Sequence, residues 1–65
     1  MKFNELDGVR VLRDFPKEGI VSGEVGTIVL VFTNPYEAYE VEFCDELGRT
    51  RAMFPILPDD IALIE

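Results

Sequence analysis

Histidine and tryptophan are both absent from this chain of 65 residues, and it holds a single cysteine, Cys44. Each absence removes a class of chemistry. Without histidine the chain lacks the commonest general base and the commonest metal ligand. Without tryptophan it is poorly equipped for the aromatic-lined grooves that hold proline-rich peptides. A lone cysteine forms no internal disulfide, and with no histidine beside it to favour the thiolate, Cys44 reads as a passive strand-end thiol rather than a nucleophile. No apolar run approaches the ~20 residues of a membrane span. The opening MKFNELDGVR carries no apolar signal-peptide segment, so the reading is cytoplasmic. Bases are scarce as well, 6 against 13 acids, for a net charge of −7. That balance repels phosphate backbones and anionic membranes, so neither nucleic acid nor membrane is an expected partner. Arg10, Arg13, Lys17, Arg49 and Arg51 are the residues an RNA would have to use, and the aromatics needed for base stacking read as core instead.

What the chain does have is β structure. Hydrophobic residues make up 48% of it, enough for one compact core. At this length a single domain over residues 1–65 is expected, burying only about 60% of its unfolded surface. The organising stretch is Ser22–Phe32, SGEVGTIVLVF, rich in β-branched residues and apolar on both faces, as suits a bent central strand. Before it, Asp7–Asp14 alternates and reads as a first strand, and Phe15–Glu24 reads as a long loop with Phe15 and Ile20 tucked inward. Met1–Leu6 reads as a frayed end or a lid. After the central strand, Asn34-Pro35 signals a turn. Ala38–Cys44 then alternates cleanly, with Tyr39, Val41 and Phe43 inward and Glu40 and Glu42 outward. Asp45-Glu46-Leu47-Gly48 forms the next turn, with Gly48 at positive φ. Arg49–Phe54 returns as a strand, and Pro55 and Pro58 break the chain after it. Pro58-Asp59-Asp60 suggests a 3₁₀ turn, and Ile61 and Leu63 a short last strand beside the first.

The turn at Asp45–Gly48 predicts a register: Cys44 opposite Arg49, Glu42 opposite Arg51, Val41 opposite Ala52 and Tyr39 opposite Phe54. Pairing across Asn34-Pro35 puts Thr27, Val29 and Val31 inward, and Ile28 and Leu30 outward beside Glu40 and Glu42. The expected fold is all-β, a small five-stranded SH3-like barrel with a 3₁₀ turn before the last strand.

The Gly23-Glu24-Val25-Gly26-Thr27-Ile28-Val29 run resembles a strand of SH3-like barrels, including ribosomal and transcription-factor KOW modules. Over nearly its full length the chain resembles the bacterial family of domain of unknown function 4926. The matching residues are Glu5-Leu6-Asp7, Val9, Leu12, Gly19, the Gly23–Val29 run, Ala38–Phe43, Gly48-Arg49-Thr50 and Pro58-Asp59-Asp60-Ile61. The resemblance implies an SH3-like fold and brings no established activity. It also implies genes that sit beside another small gene, as toxin–antitoxin or immunity pairs do.

No motif carries catalysis. Asp59 and Asp60, with Glu65 near, lack the loop spacing of a calcium site and read as caps of the short turn. Gly23-x-x-Gly26 precedes a strand, not the helix of a phosphate loop, and reads as a tight bend. Neither a metal, a cofactor nor a small-molecule substrate is expected, and the chain is read as no enzyme. The surface that points to a function is the outer face of the middle strands. There Ile28, Leu30 and Met53 form an apolar strip rimmed by Glu37, Glu40, Glu42, Asp45 and Glu46. This pattern fits a non-catalytic protein-binding module, antitoxin-like or immunity-like, covering a basic surface of a neighbour-encoded partner. The alternatives are an accessory or assembly subunit of a larger enzyme complex and a translation-associated RNA-binding module.

Overall fold

The computed structural model describes residues 2–64. Five strands form one antiparallel sheet: β1 (Gly8–Val11), β2 (Val25–Phe32), β3 (Ala38–Cys44), β4 (Thr50–Ile56) and β5 (Ile61–Leu63). Their order is β4-β3-β2-β1-β5. Two 3₁₀ turns, Pro16–Glu18 and Pro58–Asp60, complete the regular structure, and the described residues include no α-helix. The all-β reading holds, and so does the 3₁₀ turn before the last strand. β5 does lie beside β1, with Val11 opposite Ile61. It does not go on to close the ring: β4 and β5 are the two edges, so among the described residues the sheet stays open.

Alternation makes β3 the centre of the core. Tyr39, Val41 and Phe43 are buried, and Val9, Val11, Ile20, Ile28, Phe54, Ile56 and Ile61 pack around them. Phe43 stacks on Phe54 with ring centroids 5.6 Å apart. The loop between β1 and β2 turns inward as expected. Ile20 is buried, Phe15 bridges to it, and the Phe15 ring lies 5.1 Å from Phe54. Arg51 on β4 donates to the Glu24 carboxylate at 2.8 Å and to the Gly19 carbonyl at 3.2 Å. Side chains, not strand pairing, thus tie the edge strand β4 to this loop.

The N-terminal segment is the lid. Phe3 is buried edge-on against Tyr39, 5.2 Å between centroids. The Tyr39 hydroxyl accepts from the Lys2 and Phe3 amides, each at 3.2 Å, and donates to Glu37. Backbone bonds from Leu6 to the Ile28 carbonyl and from Ile28 to the Asp7 carbonyl extend the β1–β2 pairing into this segment.

Two irregularities correct the expected registers. In β2 a bulge falls between Ile28 and Leu30. Val31 still faces Tyr39, but beyond the bulge Ile28 faces Val41 and Thr27 faces Glu42. Ile28 is therefore fully buried, at 0% exposure, and Thr27 is exposed, the reverse of the expectation. One extra residue in a strand flips the faces of all that follow. In the β3–β4 hairpin a shift between Phe43 and Cys44 puts Cys44 opposite Thr50, Val41 opposite Phe54 and Tyr39 opposite Ile56. The pairing of Tyr39 is offset by two residues from the expected one, so the faces survive while the partners change. Glu42 lies opposite Met53, not Arg51. Pro55 does not end β4 but lies within it, which an edge strand tolerates because one side makes no ladder bonds. Gly26 is required by contact and not by a bend: a Cβ there would sit 2.6 Å from Val41 Cγ1 and 2.8 Å from the Glu42 carbonyl. Gly23, at φ 96°, does occupy a bend open to glycine.

Candidate functional site

Strand register sets out the outer face of the sheet in rows. Leu30, Glu40 and Pro55 lie in one row across β2, β3 and β4, and Thr27, Glu42 and Met53 in the next. Glu40 and Glu42 are two residues apart on one face, about 6.7 Å along the strand. Leu30 and Met53 sit on the strands to either side, 46% and 51% exposed. The two flanking strands are about 9.5 Å apart, two strand spacings. Instead of an apolar strip with an acidic rim, the face has an acidic centre with apolar flanks.

The eight residues singled out in the sequence divide by what they already bind. Ile28 is in the core and leaves the face. Glu37 accepts from the Tyr39 hydroxyl, which holds its carboxyl below the usual range, and it also receives the Lys2 amide. Asp45 is occupied by its own turn. It accepts the Arg49 and Leu47 amides at 2.9 Å each and pairs with the Arg49 guanidinium at 2.9 Å. These bonds, the Arg49 amide foremost, keep its carboxyl charged below the ordinary value. Gly48 completes that turn at φ 80°, as expected. Glu42 accepts from the Thr50 hydroxyl. Leu30, Glu40, Glu46 and Met53 remain. Among the described residues no cation stands within ion-pair distance of Glu40, Glu42 or Glu46.

The arginines are engaged within the chain. Arg10 donates to the Gly23 carbonyl at 2.7 Å, and Arg13 pairs with Asp60 at 3.1 Å while lying 4.1 Å over the Phe15 ring. Arg49 serves Asp45, and Arg51 serves Glu24. Asp60 is therefore an ion-pair partner. The second 3₁₀ turn has no side-chain cap, which corrects the capping role read for the two aspartates. Glu65 lies outside the described residues, among which no set of three or more candidate ligands is gathered for a metal. Cys44 is exposed, and partial desolvation with the neighbouring Glu42 and Asp45 carboxylates pushes its thiol up, away from the thiolate a nucleophile needs.

Sequence reasoning missed the turn at Asn4–Asp7. The Asp7 amide bonds to the Asn4 carbonyl at 3.2 Å, and the Asp7 carboxylate accepts the Asn4 amide at 2.9 Å. An Asn and an Asp three apart were the available signal. Leu6 stands in that turn with φ 72° and 81% exposure.

Residues 5–63 match the model of a family described as "Domain of unknown function (DUF4926)". No curated protein and no solved structure matches the chain.

Proposed function

The chain belongs to the DUF4926 family, whose model takes in nearly all of it, and from that premise we propose that it is a non-catalytic, cytoplasmic protein-binding module that covers a basic surface of a partner. The observation that carries the reading is the outer face: unpaired Glu40 on the centre strand, with half-exposed Leu30 and Met53 on either side. Charge complementarity would select the partner and speed encounter, and the apolar flanks would hold it. An SH3-like barrel is the architecture this reading adopts. The β2-β3-β4 meander, β5 beside β1 and the 3₁₀ turn before β5 are in keeping with it. An antitoxin-like or immunity-like inhibitor is the preferred form, and an accessory subunit would use the same face.

The test is a charge reversal that spares structural carboxylates. Asp45 is unsuitable because its turn depends on it, so Glu40→Lys with Glu46→Lys is the choice. Stability should change by under about 0.5 kcal/mol per site. A basic protein captured from native lysate on the immobilised wild type should associate with the double variant at least about tenfold more slowly at low salt, with the gap narrowing as salt rises. Equal association rates at low salt would sink the acidic-face reading.

A further inference from the structure

The β2–β3 turn and the segment between β4 and β5 border an open cleft of about 670 Å³, inside the range of about 300–1,000 Å³ over which clefts hold ligands. Its apolar walls are Tyr36 from the turn, and Leu57 and Pro58 from the segment that enters the second 3₁₀ turn. The fold leaves both large side chains uncovered: Tyr36 is 61% exposed and Leu57 48%. The other lining groups are the carboxylates Glu37, Asp59 and Asp60, with no base among them. Asp60 already pairs with Arg13, and Glu37 already accepts from the Tyr39 hydroxyl. Asp59 is exposed, and among the described residues no cation stands within ion-pair distance of it. That includes Lys2, which lines an adjoining hollow sharing Pro58 and Asp59 with this one.

A cleft with apolar walls whose every charge is negative takes a cation that brings apolar surface of its own. A bare divalent metal is a poor match, since a hard cation wants oxygen on all sides and the described residues gather no group of three candidate ligands. Lysine and arginine both carry their charge on an apolar stem. Arginine matches better: its planar guanidinium stacks on an aromatic face and meets a carboxylate through two parallel bonds. A residue within a peptide suits the site and the free amino acid does not, because a free α-carboxylate would meet the same acids. We propose that this cleft receives an arginine side chain of a partner protein, the guanidinium against the Tyr36 ring and the Asp59 carboxylate, the stem along Leu57 and Pro58. The chain's charge of −7 draws such a residue in. The site shares no residue with the face formed by Leu30, Glu40 and Met53, and it goes beyond the reading built on that face, which does not require it.

The probe is a short glycine-serine peptide, blocked at both ends, with one central arginine. Its twins carry lysine or the neutral isostere citrulline in that place, and all three are titrated against the whole chain while amide resonances are followed. The arginine peptide should move the amides of Tyr36, Glu37, Leu57 and Asp59 together on one saturating curve. It should bind about threefold more tightly than the lysine twin and about tenfold more tightly than the citrulline twin, through stacking and charge-assisted bonds. Asp59→Asn should weaken the arginine peptide about fivefold, and Tyr36→Ala should erase its advantage over lysine. Both side chains are exposed, so both variants should fold, and the comparison of the three peptides on wild type decides the matter without them. Glu40→Lys with Glu46→Lys should leave the preference for arginine over lysine as it is. Lysine or citrulline bound as well as arginine, shifts spread over the other acids instead of the cleft, or an Asp59→Asn protein that binds undiminished each overturns the arginine site. None of those results touches the outer face, whose own test is the association rate of the captured partner.

Discussion

Tyr39 shows how one side chain joins core to surface. Its ring has no exposed area, yet its hydroxyl receives the Lys2 and Phe3 amides and reaches Glu37, so the lid depends on it. Burial, then the Glu37 carboxylate, push its pKa above the ordinary 10.0. The sign follows. Above about pH 10 the unfolded tyrosine gives up its proton while the folded one keeps it, so the unfolded state binds fewer protons and stability falls as pH rises through the raised value. The stabilisation is fully present below pH 10. Tm should therefore drop between pH 9 and pH 11, and Tyr39→Phe should show a shallower drop from a start lower by about 1 kcal/mol, the worth of the lost hydrogen bonds. An equal alkaline slope in the two proteins would mean that the lid is not held through this hydroxyl.

The same logic at the level of elements falls on the loop between β1 and β2. Glu24 accepts from Arg51 on β4 and from the Val21 amide, at 2.8 and 2.9 Å, and these bonds hold its carboxyl below 4.5, Arg51 contributing most. A depressed carboxylate contributes stability above its unfolded pKa and loses it as pH falls through the folded one. Below about pH 4.5 the loop should loosen from β4, seen as faster amide exchange at Ile20 and Gly23, and Glu24→Gln should show that faster exchange at pH 7. Exchange there unchanged by the substitution would place the hold on the loop in the Phe15–Phe54 contact alone. This tie also marks what the sequence concealed. β3 was legible to the residue because Tyr39, Val41 and Phe43 alternate strictly with Glu40 and Glu42. The bulge was not, since Val29 lies in a run apolar on both faces, where period-two reading has nothing to lock onto. Its cost was Ile28, moved from the candidate face into the core. The Arg51–Glu24 pair joins residues 27 apart in sequence, which no local pattern announces. Asp45 and Glu37 were legible as acids but not as structural ones, because hydrogen bonds to a turn amide or a buried hydroxyl depend on the folded backbone. Leu30, Glu40 and Met53 keep the outer face because pairing across the two turns placed them, and Glu46 stays exposed in the turn beyond it.

Over the whole molecule the charge is lopsided in a particular way. The net charge is −7, and the arginines of the ion pairs, Arg13, Arg49 and Arg51, are turned to carboxylates of the same chain. Each of these arginines is substantially exposed, and exposed pairs of that kind contribute little and weaken in salt. The remaining acids repel one another over distances of about 10 Å at 0.1 M salt, and more at lower ionic strength. Two opposite salt effects compete: screening the pairs destabilises, and screening the excess negative charge stabilises. With 13 acids against 6 bases the second should win. Raising KCl from about 10 mM to about 0.5 M, where the screening length contracts to a few ångströms, should raise Tm. The same salt should slow association with a basic partner, because the charge that strains the free fold is the charge that steers the encounter. The two responses have one origin, so Glu40→Lys with Glu46→Lys should flatten both: a smaller gain in Tm with KCl and a smaller loss of association rate. A Tm that falls with KCl in the wild type would show the ion pairs to be worth more than the repulsion, and the acidic face would then cost the fold nothing.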